Sequence, residues 1–441
     1  MRFPSLFLVL ATTAMLAAQQ PTREQKVRDD KKKVEADGFW IYNDLAKGIA
    51  ESKKSGKPIL AIMRCIPCEE CVKLDDDLVN KDKRVRPLLD KYVCVRIVST
   101  NGLDLSRFQF DYDQSFAAFM LNSDGKIYGR FGTRSHRTQW SDDVSIEGLA
   151  NALQGGLELH EQYPKNTEAL AHKKGPAPEF ATPELFPTLK AKYTSKLNYE
   201  GNVVQSCIHC HQIGDAQKNL YRLRKEAIPD KVLFPYPHPK AIGLILDPKE
   251  RATVLAVEKG SPAEAAGFQK GDAIQKLDNQ PLRSIADVQW VLHHTPSDGA
   301  TLKADVKRGE SVIPITLKLD KGWRDRDDLS WRSSTWGLRR MALGGMVLEP
   351  LTVDERTKAG IPEREMVVRV KRVGQYGPHA TAKNAGFREG DVIVTFDGRT
   401  DLFRETDVMS HAVRSRKAGE AVEVVVLRDG KKTTLKLPMQ E

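Results

Sequence analysis

The chain has 441 residues, 40% of them apolar and 29% charged, with a formal net charge of +10. That length suggests about three domains, and that composition excludes wholesale disorder. The charge is too dilute for a dedicated nucleic-acid binder, and six cysteines are too few for a disulfide scaffold. Five of the six fall within two short motifs, which points to chemistry.

From the N-terminus, Met1–Ala18 has one positive residue, Arg2, then apolar Leu6–Leu10 and small residues up to Ala17 and Ala18. This is a secretory signal pattern, and its apolar run is shorter than the ~20 residues a spanning helix needs. The expectation is an exported, periplasmic or extracytoplasmic chain, soluble after cleavage and without a transmembrane span. Residues 19–37 read as a charged tether, and globular composition runs over 38–160. Residues 161–238 read as a proline-rich linker carrying the second cysteine motif, with Gly175-Pro176-Ala177-Pro178 as its clearest breaker.

The apolar run Lys57–Met63 has strand length, Arg64-Cys65-Ile66-Pro67-Cys68-Glu69-Glu70-Cys71 follows, and Val72–Val79 has helical spacing. A strand leading into C-x-x-C and a helix can make a reactive thiol: the helix dipole favours the first thiolate, and the second lies nearly a turn on. A structural disulfide or a zinc site is the alternative, the latter weakened by the lack of a nearby histidine. Cys94, inside Tyr92-Val93-Cys94-Val95, reads as a buried core thiol.

Farther on, Cys207-Ile208-His209-Cys210-His211 contains C-x-x-C-H, the c-type haem attachment pattern, with His211 placed to ligate the iron. A disulfide or a metal pair at Cys207 and Cys210 is the rival. His238 and His172 are the candidates for a distal ligand, since no methionine follows until Met341. Nothing implies a nucleotide.

The C-terminal half is duplicated, with Ala-Gly-Phe-x-x-Gly-Asp-x-Ile in Gly260–Ile274 and again in Tyr376–Ile393. Pro262 and Pro378 suit a first helical turn, and Gly267 and Gly386 suit the left-handed residue that ends it. Alternating strands close each copy, over Leu302–Val306 and Val312–Leu319, then Val422–Leu427 and Lys432–Leu437. Between the copies, residues 321–337 hold three of the six tryptophans and read as a packed linker.

Two resemblances follow from these motifs. Ser55–Arg130 resembles the thioredoxin fold: GKPILAIM looks like its central strand, and Leu121–Lys126 like the hairpin of its last two strands. The resemblance implies Cys68 as nucleophile, Cys71 as resolving thiol and Cys65 as an extra thiol. The family's cis-proline is missing, with Phe116 near its place, and Glu69-Glu70 replaces the common Gly-Pro, which disfavours the thiolate and predicts a reducing pair. The duplicated units, 239–320 and 338–438, resemble bacterial PDZ domains. That implies capture of peptide or protein C-termini by β-strand addition, with the carboxylate held at Ile242, Gly243 and Leu244 in one copy and at Gly344, Gly345 and Met346 in the other. An occluded groove in one copy is the alternative. PDZ pairs accompany exported serine proteases, but no Gly-x-Ser-x-Gly motif precedes them here.

The whole order is similar to a bacterial family that joins thioredoxin-like and PDZ domains, some of whose relatives carry selenocysteine in the redox motif. The expected fold is multidomain, α/β and α+β: a thioredoxin-like domain over 38–160, the C-x-x-C-H segment and two PDZ-like domains. The expected function is thiol–disulfide exchange with redox partner proteins, coupled to a haem if one is attached. A non-enzymatic PDZ scaffold and a haem electron carrier or sensor are the rivals.

Overall fold

The structure is a computed structural model that describes residues 21–64, 66, 82–114, 116–133, 145–358, 361–362 and 364–441. Helix α1 (Arg23–Asp37) begins with a capping box in which Thr22 and Gln25 exchange hydrogen bonds. Expected as a tether, it is a docked helix. Val27 and Val34, two turns apart, are buried, and Asp30 pairs with Arg64 and Arg96. Two valines in a run this charged are too little apolar signal to reveal the docked face.

The first unit follows as β1 (Ile41–Tyr42), α2 (Leu45–Ser55), β2 (Ile59–Arg64), β3 (Val93–Ile97), β4 (Phe116–Leu121), β5 (Ile127–Thr133) and α3 (Ile146–Glu161). The sheet order is β1-β3-β2-β4-β5, with the first three parallel, β4 antiparallel to β2, and β5 antiparallel to β4. Every residue of β2 is buried, as a strand covered on both faces requires. Its alternation splits the core. Leu60 and Ile62 join Leu149 and Leu153 of α3, while Ile59, Ala61 and Met63 join Phe186, Ile208 and Ile213.

The second face therefore belongs to the segment expected as a linker. Residues 161–238 form a layer on the sheet, including α4 (Cys210–Leu223), and Ile228, Leu233 and Phe234 enter the core of the last unit. Its prolines break it into short helices, which hides that packing from a periodicity reading.

The first duplicated unit contains β6 (Leu244–Leu246), β7 (Val254–Val257), β8 (Ala273–Leu277), β9 (Gln280–Pro281), α5 (Ile285–His294), β10 (Ala300–Arg308) and β11 (Ser311–Leu319). The second contains α6 (Thr335–Leu343), β12 (Val347–Pro350), β13 (Val368–Arg372), β14 (Val392–Phe396), α7 (Glu405–Ser415), β15 (Ala421–Arg428) and β16 (Lys431–Pro438). In the described residues β6 pairs only with β7, and β12 ends its five-stranded sheet, so each copy has an edge strand at the same place.

The repeated Gly-Asp has a structural cause. Asp272 accepts Gln269 N–H at 2.9 Å and a two-pronged Arg308 at 2.7 Å. Asp391 does the same with Arg388 N–H and Arg428. Each arginine also binds the carbonyl of the helix-ending glycine, Gly267 or Gly386, at 2.8 Å, so one ion pair ties strand, turn and helix end together. The tryptophan-rich link is packed at Trp323, which is buried in the first copy's core, whereas Trp336 is exposed and stacks on His379.

Candidate functional site

Cys65, Cys68 and Cys71 lie outside the described residues, and so does the helix expected after them. What the structure fixes is the platform. Strand β2 ends at Arg64, opposite Phe116, so the motif starts at the end of the sheet where β4 begins. Ile66, within the motif, is buried and packs with Val27, Val98 and Val203. Val203 lies four residues before Cys207, so the two cysteine motifs share one end of the sheet. Sequence spacing alone gave no sign of this.

The second motif is stitched to that end by its backbone. Ile208 O accepts from Thr100 N at 3.0 Å and Thr100 Oγ1 at 2.9 Å, and Ile208 N donates to Asn101 Oδ1 at 2.8 Å. Cys207 is buried, its thiol donating to Val203 O at 3.2 Å, and Cys210 is half-buried beside Tyr112; neither forms a disulfide. Burial pushes the Cys207 thiol up to about 11 and the Cys210 thiol up to about 12. His209 is pushed down to about 4, first by burial and then by His211 and Arg23.

These residues do not fit a haem as packed. The thiols of Cys207 and Cys210 turn into the core while the partly exposed His211 ring stacks on His209 and points Nδ1 toward Asp215, 3.8 Å away. Covalent attachment would require both thiols, now packed inward, to turn out of the core. His238, one candidate for a distal ligand, is buried, with its Nδ1 accepting from Lys240 N. His172 is a surface residue. Among the described residues no cluster of histidine, cysteine and carboxylate side chains is arranged to hold a metal ion. Cys94 is the expected buried thiol.

The two loops expected to hold a carboxylate are both helix ends. Gly243, at φ +82°, caps the short helix before β6, with its N–H on Lys240 O at 2.9 Å and its α-carbon against Ser261. Gly345, at φ +87°, donates to Arg339 O at 3.1 Å and lies against the His379 carbonyl, and Met346 N–H goes to Leu343 O at 3.1 Å. In both copies glycine is needed for packing against the turn that opens the next helix. In the second copy the amides of Gly345 and Met346 are bonded within the chain, as Gly243 N–H is in the first. Of that set, Gly344 N–H is likewise turned to Arg339 O as the helix cap.

The strand edges then separate the copies. Leu348 N–H, on the edge of β12, donates to Glu405 Oε1 at 2.8 Å. Arg339 holds the same carboxylate with both prongs, at 2.9 and 2.6 Å. Glu405 is the first residue of α7; the first residue of α5 is Ile285, which has no oxygen to offer. The matching strand residue, in Leu246-Asp247-Pro248 against Leu348-Glu349-Pro350, is Leu246. Among the described residues the main chain of β6 makes no hydrogen bond beyond its pairing with β7. The mismatch of Ile285 and Glu405 in otherwise parallel copies was the available sequence signal, and it was missed.

Buried charge joins the units. Lys173 and Asp287 pair at 3.0 Å with both side chains 1% exposed. Burial pushes Lys173 down to about 8 despite that partner. Arg130 of β5 stacks 3.6 Å over Trp290 of α5, and Trp290 Nε1 donates to His172 O at 2.9 Å. On the other side Arg332 reaches the loop before β4, binding Asp111 at 2.7 and 2.8 Å, while Asp113 accepts Ser334 N at 2.7 Å and Ser334 Oγ at 2.8 Å. Burial raises Asp111 in spite of Arg332. It would raise Asp113 too, but Lys218, Arg332 and Ser334 hold that carboxyl low.

Comparison with known proteins agrees with this architecture. Residues 40–123 match a family described as thioredoxin-like, and residues 238–319 and 352–439 match the PDZ domain. The chain carries one thioredoxin-like domain and two PDZ domains. Among curated proteins it is 28% identical over 183 residues to a probable periplasmic serine endoprotease DegP-like of Hahella chejuensis, covering 41% of this chain and 36% of the relative. A second of that description, from Ectopseudomonas mendocina, is 28% identical over 198 residues, covering 44% and 40%. The chain thus spans two fifths or less of the length of these relatives. Solved neighbours include the HtrA-type protease AlgW with decapeptide (19% identity, TM-score 0.21, 32% of this chain and 49% of that one) and with tripeptide (26%, 0.18, 22% and 30%). No helix among the described residues is long and apolar enough to cross a membrane.

Proposed function

We propose that the chain is an exported thiol–disulfide oxidoreductase whose first PDZ domain holds a protein or peptide C-terminus. Its thiols are Cys68 and Cys71, with Cys65 as a third thiol in the motif. The Cys68 thiolate attacks a substrate disulfide and releases one substrate thiol. Cys71 then displaces the second, so the substrate gains two electrons and two protons and the pair is left as a disulfide. A redox partner protein with a dithiol restores it. The thioredoxin-like match around β2 and the strand-to-motif order support the chemistry.

The observation that carries the combined reading is the buried joint between the two domains. Lys173–Asp287 and the Arg130–Trp290 stack fix the first PDZ domain to the redox domain, so a terminus held at β6 stays at high effective concentration. Peptide capture at β6 is supported by its edge position and by the PDZ match; the second copy, with Leu348 N–H bonded to Glu405, is the non-binding one.

Two assays test this. Pre-reduced protein should reduce a model disulfide faster than the Cys68→Ser variant; equal rates would retire the redox reading and leave a scaffold. Peptides with a free C-terminal carboxylate should bind where their amidated forms do not. Ile285→Glu, which copies the second domain's closed arrangement into the first, should abolish that binding while reduction of a small disulfide continues.

A further inference from the structure

A cavity of about 200 Å³ lies at the meeting point of the loop before β4, helix α4 and the C-terminal end of α5. It is far larger than the ~30 Å³ share of one water. It is separate from the β6 edge, and the proposed activity does not use it.

A count of donors and acceptors decides what it can take. The carboxylates in its wall are committed: Asp111 to Arg332, and Asp113 to Ser334 through both oxygens. The donors are not. Lys218 Nζ spends one of its three on Ser334 Oγ, at 2.6 Å. Lys231 Nζ has no hydrogen-bond or carboxylate partner among the described residues. His293 Nδ1 accepts Tyr236 N–H at 3.2 Å, which places the ring proton on Nε2 as a further donor. Burial holds that imidazole neutral, its pKa well below the ordinary value. The rest of the wall is mixed: the polar side chains of Gln109, Gln217 and His294, and apolar surface that includes the rings of Tyr112 and Tyr236. Lys218 has Asp113 as its counter-charge, while Lys231 and the spare hydrogens of Lys218 and His293 remain beside uncharged Gln217 and His294, so the site favours an anionic acceptor.

We propose that this cavity binds a small organic acid, with its carboxylate between Lys218 and Lys231 and its apolar body against Tyr112 and Tyr236. Its walls come from the redox domain, the 161–238 layer and the first PDZ domain, so an occupant bridges all three. The site is independent of the redox chemistry and of peptide capture, and neither result bears on it.

The test uses the full chain and calorimetric titration with benzoate, 3-phenylpropionate, benzamide and inorganic phosphate. The organic acids should bind with a stoichiometry of one, and benzamide, which lacks the charge, should not. Lys231 is exposed as a residue, so Lys231→Ala should fold with unchanged melting behaviour and weaken benzoate at least tenfold, with Lys231→Arg restoring it. No saturable binding of either acid, or equal affinity in Lys231→Ala, overturns the proposal. Phosphate binding as tightly as the acids overturns the organic-acid assignment.

Discussion

Arg332 is the sharpest test of how the domains are held. Its side chain and that of Asp111 are each 1% exposed, and Asp113 is 2% exposed. Replacing it with methionine keeps most of the volume but leaves Asp111 buried without a counter-charge. Breaking a buried pair in this way costs about 3–5 kcal/mol, against ~0.2–1 kcal/mol for an exposed pair. At ~1.4 kcal/mol per tenfold, that is at least a hundredfold in the unfolding equilibrium of the unit that contains β4. Urea unfolding of the full chain, followed by circular dichroism, reads it. The sign of the pH effect follows from Asp111. Burial already holds its folded pKa above the ordinary aspartate value, and it rises further without Arg332, so the folded variant gains protons as pH falls. The deficit should therefore be largest at neutral pH and shrink toward the ordinary carboxylate range, and adding Asp111→Asn should recover much of it at pH 7. A deficit below ~1 kcal/mol, or one that ignores both pH and Asp111→Asn, would refute the buried-charge account.

Other outcomes follow from the same structure. Glu405→Ile combined with Arg339→Met should free the β12 edge and raise the number of C-terminal peptides bound per chain, measured by calorimetry; an unchanged stoichiometry would mean that Glu405 is not what closes it. Wild-type stability should fall as pH drops from 6.5 toward 4. His209 and His294 are held down to about 4 and His293 well below 6.5, so the unfolded chain takes up more protons across that window, each adding up to ~1.4 kcal/mol per pH unit. Heat unfolding at stepped pH checks this. Native protein at pH 8 should resist alkylation at Cys207 and Cys210, which react fully once unfolded; mass mapping of the labelled peptides reads the difference. Asp272→Ala should cost the first PDZ domain about 2 kcal/mol, because its buried carboxylate accepts one backbone and two arginine hydrogen bonds.

The sequence by itself determined whatever is written over a few consecutive residues. The apolar run of β2, the turn at Asn122 that joins β4 to β5, the duplicated Ala-Gly-Phe-x-x-Gly-Asp and the spacing of CIPCEEC were legible because strands, turns and caps are local. The match to thioredoxin-like and PDZ domains falls on those stretches. Tertiary structure alone decided the rest. Asp111 and Arg332 stand 221 residues apart, and no periodicity links them. The 161–238 segment looked like a linker because its prolines interrupt every pattern, yet it covers one face of the sheet. Gly345 N–H, expected to help hold a carboxylate, is bonded to Arg339 O at the end of α6, and Leu348 N–H is bonded to Glu405 from a helix 57 residues on. Burial and partner choice are set by what lies opposite in space, and the chain folds opposite residues together from positions that carry no mark of each other.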